Sequence, residues 1–344
     1  MIVSTRSMSQ SRPARERAGI AVGLINNMGD EALKITERQF TSVVSEAAGD
    51  IDVSFRIFAL KSTKRSPRAL DYINARYEPA SAAMDGDLDA LIITGAQPLA
   101  NRLSEEAYWE ELVELIDWAK LHTTSTILSC LAAHAGVLHL DGIERRPLPK
   151  KCAGVFDFAA ETSHPLVGKQ GQMRPVPHSR YNGLLRSELE QAGYAVLTSS
   201  RGCGVDSFVK CFGSQFVFLQ GHPEYDANSL AREYRRDMDR YLRGETDRIP
   251  AMPKGYFGAE GEAKLSALDS RKRDHRSQEQ IPALSIIEAL APSQAIWREA
   301  ASSFFRGWIE TVAIEIDPES NKGLNAEKQE YFSENIPYAD SYVA

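Results

Sequence analysis

The sequence predicts an α/β protein with an open, mostly parallel sheet and helices on both faces, as in flavodoxin-like folds. Short apolar runs at residues 20–25 (IAVGLI), 88–95 (LDALIITG) and 126–129 are typical of buried strands. Segments with apolar residues at helical spacing, such as 108–120, separate these runs. Because strands alternate with helices, the pattern favours parallel βαβ units and a sheet covered on both sides.

The first half of the chain supports this class element by element. Strand 20–25 leads into the loop NNMGD, and strand 88–95 ends in a glycine turn. The elements predicted here are, in order, a strand at 20–25, a helix within 32–48, a strand at 51–60, a strand at 88–95, a helix at 108–120, a strand at 126–129 and a helix through His139. Ligands bind at the carboxyl ends of strands in such sheets, so residues 26–30, residues 94–98 and Cys130 are expected to form one site.

The second half predicts further strands and two helices. These elements are strands at 194–199, 208–211 and 216–220, a helix at 229–242 and a last amphipathic helix at 297–313. Residues 243–295 are rich in charge, proline and glycine, which indicates a long excursion. We expect one α/β domain over residues 18–315, flanked by a disordered arm at 1–17 and a loose tail at 316–344.

Composition excludes several classes of protein. The chain has 344 residues, 43% hydrophobic and 25% charged, which is ordinary for a globular enzyme. A net charge of -7 argues against nucleic acid as a partner. No apolar run is long enough to span a bilayer, and residues 1–17 lack the apolar segment of a secretory signal. Four cysteines without a CxxC pair indicate neither a disulfide framework nor a zinc site, so we expect a reduced, cytoplasmic protein without a metal.

Cys130 stands where an apolar strand gives way to a helix in the stretch TSTILSCLAAHAGVLHLDG. A strand-to-helix turn exposes the sulfur, and the helix N-terminus stabilises a thiolate there. The following backbone N–H, on Leu131, is placed to donate to an oxyanion. A buried packing cysteine explains the position equally well, so both interpretations stay open.

His222 and Glu224 lie in the segment GHPEYD directly after a predicted strand. A thiol nucleophile needs a base, and the base needs an orienting carboxylate. Residues two apart in an extended loop project to the same side, so this pair is expected to complete a triad with Cys130. The alternative is a polar turn with a satisfied histidine.

The stretch VPHSRYN offers an imidazole, a hydroxyl and a guanidinium on His178, Ser179 and Arg180. Such groups suit a carboxylate or amino-acid substrate. Lys151 and Arg236 are further sources of positive charge. The stretch VPHSRYN is equally consistent with a polar surface turn, and Lys151 or Arg236, taken singly, is more typical of a solvated surface.

Taken together, these segments resemble the homoserine O-succinyltransferase family, over about residues 18–312. The matching stretches occur in family order: LIITGA (91–96), YWEELVELIDWAK (108–120), TSTILSCLAAHAG (124–136), KCAGVF (151–156), VPHSRY (176–181), GHPEYDANSLAREYRRD (221–237) and the helix near Trp297. The resemblance implies a fold like that of class I glutamine amidotransferases. It also implies a homodimer that takes part in methionine biosynthesis.

The family's catalytic residues carry over to Cys130 as the acylated nucleophile, His222 as the general base and Glu224 as its orienting group. An acyl-CoA is then a co-substrate that acylates the cysteine, and the acyl group passes to the hydroxyl of L-homoserine. No tightly bound cofactor is implied.

The family's substrate-binding positions correspond to Lys151, Ser179 and Arg236, with Arg236 a clamp for the homoserine carboxylate. Arg180 lies in the same matching motif and is added to this group. All other implied partners are small molecules, with no nucleic acid or membrane.

Several positions depart from the family pattern. Leu131 replaces a common tryptophan, and His134 replaces the usual glutamine. In the family, a glutamate in the loop at 95–103 accompanies acetyl donors and a glycine accompanies succinyl donors. Here residues 98–101 are PLAN, so neither rule applies, and the absence of a carboxylate favours succinyl over acetyl. A homoserine relative such as serine is an alternative acceptor.

Two other functions are compatible with the same residues. A glutamine amidotransferase-like cysteine hydrolase would carry the same triad, but no synthase domain is visible in the sequence. A binding or regulatory protein that lost the chemistry would not need Cys130, His222 and Glu224 together.

Overall fold

The computed structural model describes residues 19–272 and 284–317. The strands are β1 Ile20–Ile25, β2 Val53–Ala59, β3 Glu78–Pro79, β4 Ala90–Ile93, β5 Ser125–Ser129, β6 Arg146–Ala160, β7 Met173–Gly183, β8 Ala195–Val196, β9 Thr198–Ser200, β10 Gly204–Val205, β11 Ser207–Cys211 and β12 Gln215–Leu219. The helices are α1 Leu33–Ala48, α2 Pro67–Arg76, α3 Ser81–Met84, α4 Trp109–His122, α5 Leu131–Asp141, α6 Arg186–Gln191, α7 Ser229–Leu242, α8 Gly258–Lys272, α9 Ser285–Ala289 and α10 Arg298–Ile316, with a 3-10 turn at Leu103–Glu105.

The central sheet has the strand order β3-β2-β1-β4-β5-β12-β11-β8 within these residues. All pairs from β3 to β12 are parallel, whereas β11 pairs antiparallel with both β12 and the edge strand β8. The predicted class, an open and mostly parallel α/β sheet, is confirmed. The chain leaves β1 toward β2 and returns to its other side at β4, so the strand order reverses between β1 and β4. Ligand sites form at such a reversal, outside the carboxyl ends of the strands.

Two apolar layers cover the sheet because successive strand residues point to opposite faces. In β1, Val22 and Leu24 pack with helices α1 and α10, whereas Ala21 and Ile25 pack with α4 and α5. All four side chains are buried. Continuous apolar strands such as IAVGLI are therefore explained by burial on both faces.

A second, four-stranded sheet has the order β10-β9-β6-β7 and is antiparallel in the pairs among its strands. The segment 243–295, predicted as an excursion, contains α8 and α9, and buried side chains of these helices pack with α7 and Trp297. Helix α10 occupies Arg298–Ile316, where the sequence predicts a helix at 297–313. The predicted arm at 1–17 and residues 318–344 of the predicted tail lie outside the described residues.

One cysteine pair differs from the expectation of a reduced chain. Cys152 in β6 and Cys203 in the turn before β10 are joined by a disulfide, whereas Cys130 and Cys211 are free. The expectation of four thiols is therefore wrong for this pair. The two residues are 51 positions apart in sequence and meet because β6, β9 and β10 belong to the same sheet. None of the helices in the described residues has the length and apolarity needed to cross a membrane.

Replacing Trp308 by alanine should lower the free energy of unfolding by about 3–5 kcal/mol, because a large buried ring is lost from the core. Trp308 lies in α10, is fully buried, and donates from Nε1 to Ser125 Oγ in β5 at 2.8 Å. Urea unfolding followed by circular dichroism measures the change. The exposed Leu121 (77% accessible) is the control, and Leu121→Ala should have an effect within about 0.5 kcal/mol. Equal effects of the two variants would contradict this account of the core.

Candidate active site

Cys130 is the link between β5 and α5 and has an unusual backbone conformation. Its φ angle is +53°, and it is the one non-glycine residue with positive φ in the described part of the chain. Its N–H donates to the carbonyl of Leu219, the last residue of the neighbouring strand β12, at 2.7 Å. A cysteine held in this left-handed region at a strand-to-helix turn is typical of a nucleophile elbow.

The loop after β12 carries His222 and Glu224 to the same edge of the sheet. The Nδ1 atom of His222 and Oε1 of Glu224 are 2.9 Å apart, so the predicted pairing of these two side chains is present. The backbone N–H of His222 donates to Pro177 O at 2.8 Å, and its ring stacks on Tyr225 at 4.2 Å between centroids. These contacts fix the imidazole in one orientation.

The side chains of Cys130 and His222 are close enough to interact directly. Because Nδ1 of His222 is bound to Glu224, the other ring nitrogen, Nε2, is the atom available to interact with the Cys130 sulfur. Burial lowers the pKa of His222, but the negative charges of Cys130 and Glu224 outweigh it, and its pKa lies well above the ordinary value. A protonated imidazole beside the sulfur stabilises a thiolate, which is the reactive form of cysteine.

The loop after β4 approaches the first residue of α5 closely. A Cβ atom on Gly95 would lie 2.9 Å from the backbone nitrogen of Leu131 and 3.2 Å from Ser129 O, so only glycine fits without a shift of the backbone. The Leu131 amide is at the N-terminus of α5, where helical N–H groups have no partner within the helix. The place predicted for an oxyanion donor is therefore next to the candidate nucleophile.

The three residues predicted from the family's substrate-binding positions converge on two acidic side chains of α7. Lys151 Nζ lies 2.6 Å from Asp237 Oδ2 and 3.9 Å from Glu233 Oε2. The Ser179 hydroxyl lies next to Glu233 and helps to lower its pKa, and Arg236 contacts Asp237 at 3.1 Å. Residues from β6, β7 and α7 thus form one charged cluster.

Glu233 is the central member of this cluster. Burial raises its pKa, but Lys151, Arg236 and His222 outweigh the burial, and its pKa lies below the ordinary value. It also accepts a hydrogen bond from the Tyr225 hydroxyl at 2.6 Å. Its other oxygen, Oε2, is buried and has no hydrogen-bond donor among the described residues. The Lys151 ammonium, 3.9 Å from Oε2, lies beyond hydrogen-bonding distance. A buried carboxylate oxygen that accepts no hydrogen bond, close to His222, is a natural receptor for an ammonium group.

The sequence interpretation missed Glu233, Asp237 and Tyr225 as members of the site. All three lie within the quoted match at 221–237, and Glu233 and Asp237 are one helical turn apart on α7. That spacing was a usable signal, since residues four apart share a helix face.

Arg180 differs in position from the other predicted binding residues. Its side chain is buried, and it donates to His178 Nδ1, Asn182 O and Cys203 O at 3.2, 2.7 and 2.5 Å. These protein acceptors orient the guanidinium, although its charge still reaches Cys130. The segment VPHSRYN is part of strand β7, and the alternative of a polar surface turn is wrong for His178 and Arg180, which are both buried.

His134, the residue that replaces the usual glutamine, lies in the core behind the elbow. Its Nε2 is 2.9 Å from Gln220 Oε1, and burial lowers its pKa to about 4. It is therefore neutral and structural. Across residues 19–272 and 284–317, no group of three or more His, Cys, Asp or Glu side chains is arranged to hold a metal ion.

A solved structure of a glutamine amidotransferase from Thermotoga maritima is similar to this chain at a TM-score of 0.40 and 10% identity. The similarity covers 80% of this chain and 97% of that one. At this level the likeness adds nothing to the description of the fold given above.

Comparison of sequences gives a much closer relationship. The family model of homoserine O-succinyltransferase matches residues 3–318. Proteins named homoserine O-succinyltransferase are 44% identical in Methylorubrum extorquens (86% of this chain, 87% of that protein) and 43% identical in Bradyrhizobium japonicum (87% and 91%). A third, from Rhodopseudomonas palustris, is 43% identical over 91% of this chain and 94% of its own length. The chain belongs to the homoserine O-succinyltransferase family.

Proposed function

We propose that this protein transfers the succinyl group of succinyl-CoA to the hydroxyl of L-homoserine through an acyl-cysteine on Cys130. The product, O-succinylhomoserine, places the reaction in methionine biosynthesis. The observation that carries the proposal is that Cys130 interacts with His222, and His222 hydrogen-bonds Glu224, at the carboxyl edge of the sheet in a member of this family.

In the first half-reaction, the Cys130 thiolate attacks the thioester carbonyl of succinyl-CoA. The carbonyl oxygen becomes an oxyanion, to which the Leu131 amide is placed to donate. The carbon–sulfur bond to CoA then breaks, and the CoA thiolate leaves with a proton from the His222 imidazolium. One thioester replaces another, so this step is close to balanced in free energy.

In the second half-reaction, neutral His222 takes the proton of the homoserine hydroxyl. The hydroxyl oxygen attacks the acyl-Cys130 carbonyl, and the Cys130 thiolate leaves as the ester forms. Glu224 keeps the Nδ1 proton of His222 in place, so Nε2 is the basic atom throughout. A positioned base of this kind contributes about 100- to 10,000-fold in rate.

The charged cluster beside the triad suits the amino-acid part of homoserine. Lys151, Ser179 and Arg236 supply donors for the α-carboxylate, with Arg236 able to bind it bidentately. Glu233 Oε2, which accepts no hydrogen bond among the described residues, suits the α-ammonium group. Asp237 holds Lys151 and Arg236 in position through the contacts that it makes with both.

Intact-mass spectrometry after incubation with succinyl-CoA, without acceptor, tests the covalent step. We expect an adduct of one succinyl group, mapped to Cys130 by peptide sequencing, which disappears when L-homoserine is added. Acetyl-CoA in a parallel incubation tests the donor, and L-serine in place of homoserine tests the acceptor. No adduct with either donor would contradict the proposal. The homodimer and the cytoplasmic location remain predictions.

A further inference from the structure

A cavity lies where the strand order reverses, next to the candidate nucleophile. It is partly open to solvent and is bounded by the loop after β4 and by α4 and α5. Its lining includes Leu131, Gly95, Leu103, Leu112 and Tyr108. Because Leu131 follows Cys130 directly, an acyl chain on the sulfur has a mostly apolar space beside it.

Tyr108 gives this cavity one unsatisfied polar group. The side chain is 6% exposed, and its hydroxyl is buried without a hydrogen-bond partner among the described residues. Burial raises the pKa of Tyr108, so the hydroxyl stays protonated and is a donor at neutral pH. Leaving such a group unpaired costs about 1–3 kcal/mol, which an acceptor on a ligand would recover.

Arg145 brings a positive charge close to Tyr108 and Cys130. It lies just after α5, is half-buried, and makes no hydrogen bond or ion pair with any residue that the structure describes. Its guanidinium interacts electrostatically with Tyr108 and Cys130. Its neighbour Arg146 differs, because it is exposed and pairs with Glu188 at 2.6 Å. A partly desolvated guanidinium without an anion is expected to bind one.

Neither of the two acidic side chains near Arg145 forms an ion pair with it. Glu106 accepts hydrogen bonds from the backbone of Leu99 and Ala100 at 2.7 and 2.8 Å, so it holds the loop after β4. Glu144, next to Arg145 in sequence, is exposed to water. Both interact with Arg145 electrostatically, but neither is within 4 Å as an ion pair.

We propose that this cavity holds the succinyl chain of the acyl-enzyme, and that the Tyr108 hydroxyl and the Arg145 guanidinium bind its free carboxylate. The inference rests on the proposed function and identifies the residues that select the donor. The methylene groups lie against the apolar lining, while the carboxylate gains two donors that have no other partner in the described parts of the chain. An acyl group without the carboxylate would leave both donors unpaired, which is how such sites reject a close analogue.

The test compares kcat/KM for succinyl-CoA with that for butyryl-CoA, which has the same chain length but no carboxylate. The variants are Tyr108→Phe, Arg145→Met and Arg145→Lys, with Arg146→Met as the matched control. Arg145→Met should reduce the preference for succinyl-CoA about 10- to 100-fold, and Tyr108→Phe about 10-fold, the usual range for a hydrogen bond to a charged group. Activity with butyryl-CoA should not fall in either variant. Arg145→Lys should restore part of the preference, and Arg146→Met should leave it unchanged.

The outcomes separate this inference from the function on which it rests. Equal losses with both donors, or an unchanged preference in Arg145→Met and Tyr108→Phe, would overturn the carboxylate site while leaving succinyl transfer intact. A wild-type protein that reacts with no acyl-CoA would overturn both. Thermal unfolding of each variant confirms that the protein is folded before the donors are compared.

Discussion

Cys130→Ala should abolish acyl transfer, lowering kcat by at least about 1,000-fold, because the variant has no atom that can carry the acyl group. The change should leave the fold intact. Both residues carry a Cβ, so the cost of φ = +53° is the same before and after the substitution. The readouts are formation of O-succinylhomoserine by chromatography and of the succinyl adduct by intact mass.

Cys211→Ala is the matched control for this experiment. Cys211 is the other free cysteine in the described residues and is exposed at the end of β11, away from the carboxyl edge. Its variant should keep both the activity and the adduct of the wild-type protein. Product formation by Cys130→Ala at more than about a hundredth of the wild-type rate would rule out the covalent route through this sulfur.

Much of the central sheet follows from local pattern alone. Strands 20–25 and 216–220 correspond to β1 and β12, and the predicted helix at 229–242 has the bounds of α7. These elements have simple periodicity because one helix face or both strand faces are buried. The elbow at Cys130 was also accessible, since a buried strand that meets a helix leaves one residue at the turn.

The second sheet was not accessible in the same way. Strand β6 mixes lysine and proline with apolar residues, and its pairing with β7 shifts register between Pro147 and Cys152. Such a strand lacks a regular alternation of apolar and polar residues, so the sequence pattern does not predict it. The disulfide of Cys152 and the burial of Arg180 both depend on this sheet, and both were missed for the same reason.

Whether a charged side chain is paired is a second feature that cannot be predicted from the sequence. Arg145 and Arg146 are adjacent and chemically identical, yet one pairs with Glu188 and the other has no partner in the described chain. The difference arises from residues more than 30 positions away. The sequence shows that a charged residue is present. Whether that charge is paired or available to a ligand depends on which residues the fold places beside it.

Glu224→Gln should lower the rate of the second half-reaction by about 100- to 10,000-fold. Oε1 of Glu224 accepts the Nδ1 proton of His222, and Glu224 is itself 3% exposed. An amide in this place can donate to Nδ1, which would put the proton of neutral His222 on Nε2, the atom that must act as the base. Single-turnover decay of a preformed succinyl-enzyme with L-homoserine measures this step alone. Glu260→Gln, an exposed glutamate on α8, is the control and should behave as wild type.

The pH dependence of the same decay separates orientation from charge. In the wild-type protein the Glu224 carboxylate is one of the charges that raise the pKa of His222, against the lowering effect of burial. In the acyl-enzyme the Cys130 thiolate is gone, so Glu224 is the main remaining charge of this kind. Removing it lowers the pKa of His222, and the ascending limb of rate against pH should move to lower pH while the maximum falls. A lower maximum with an unmoved limb would mean that Glu224 orients the imidazole without stabilising its charge.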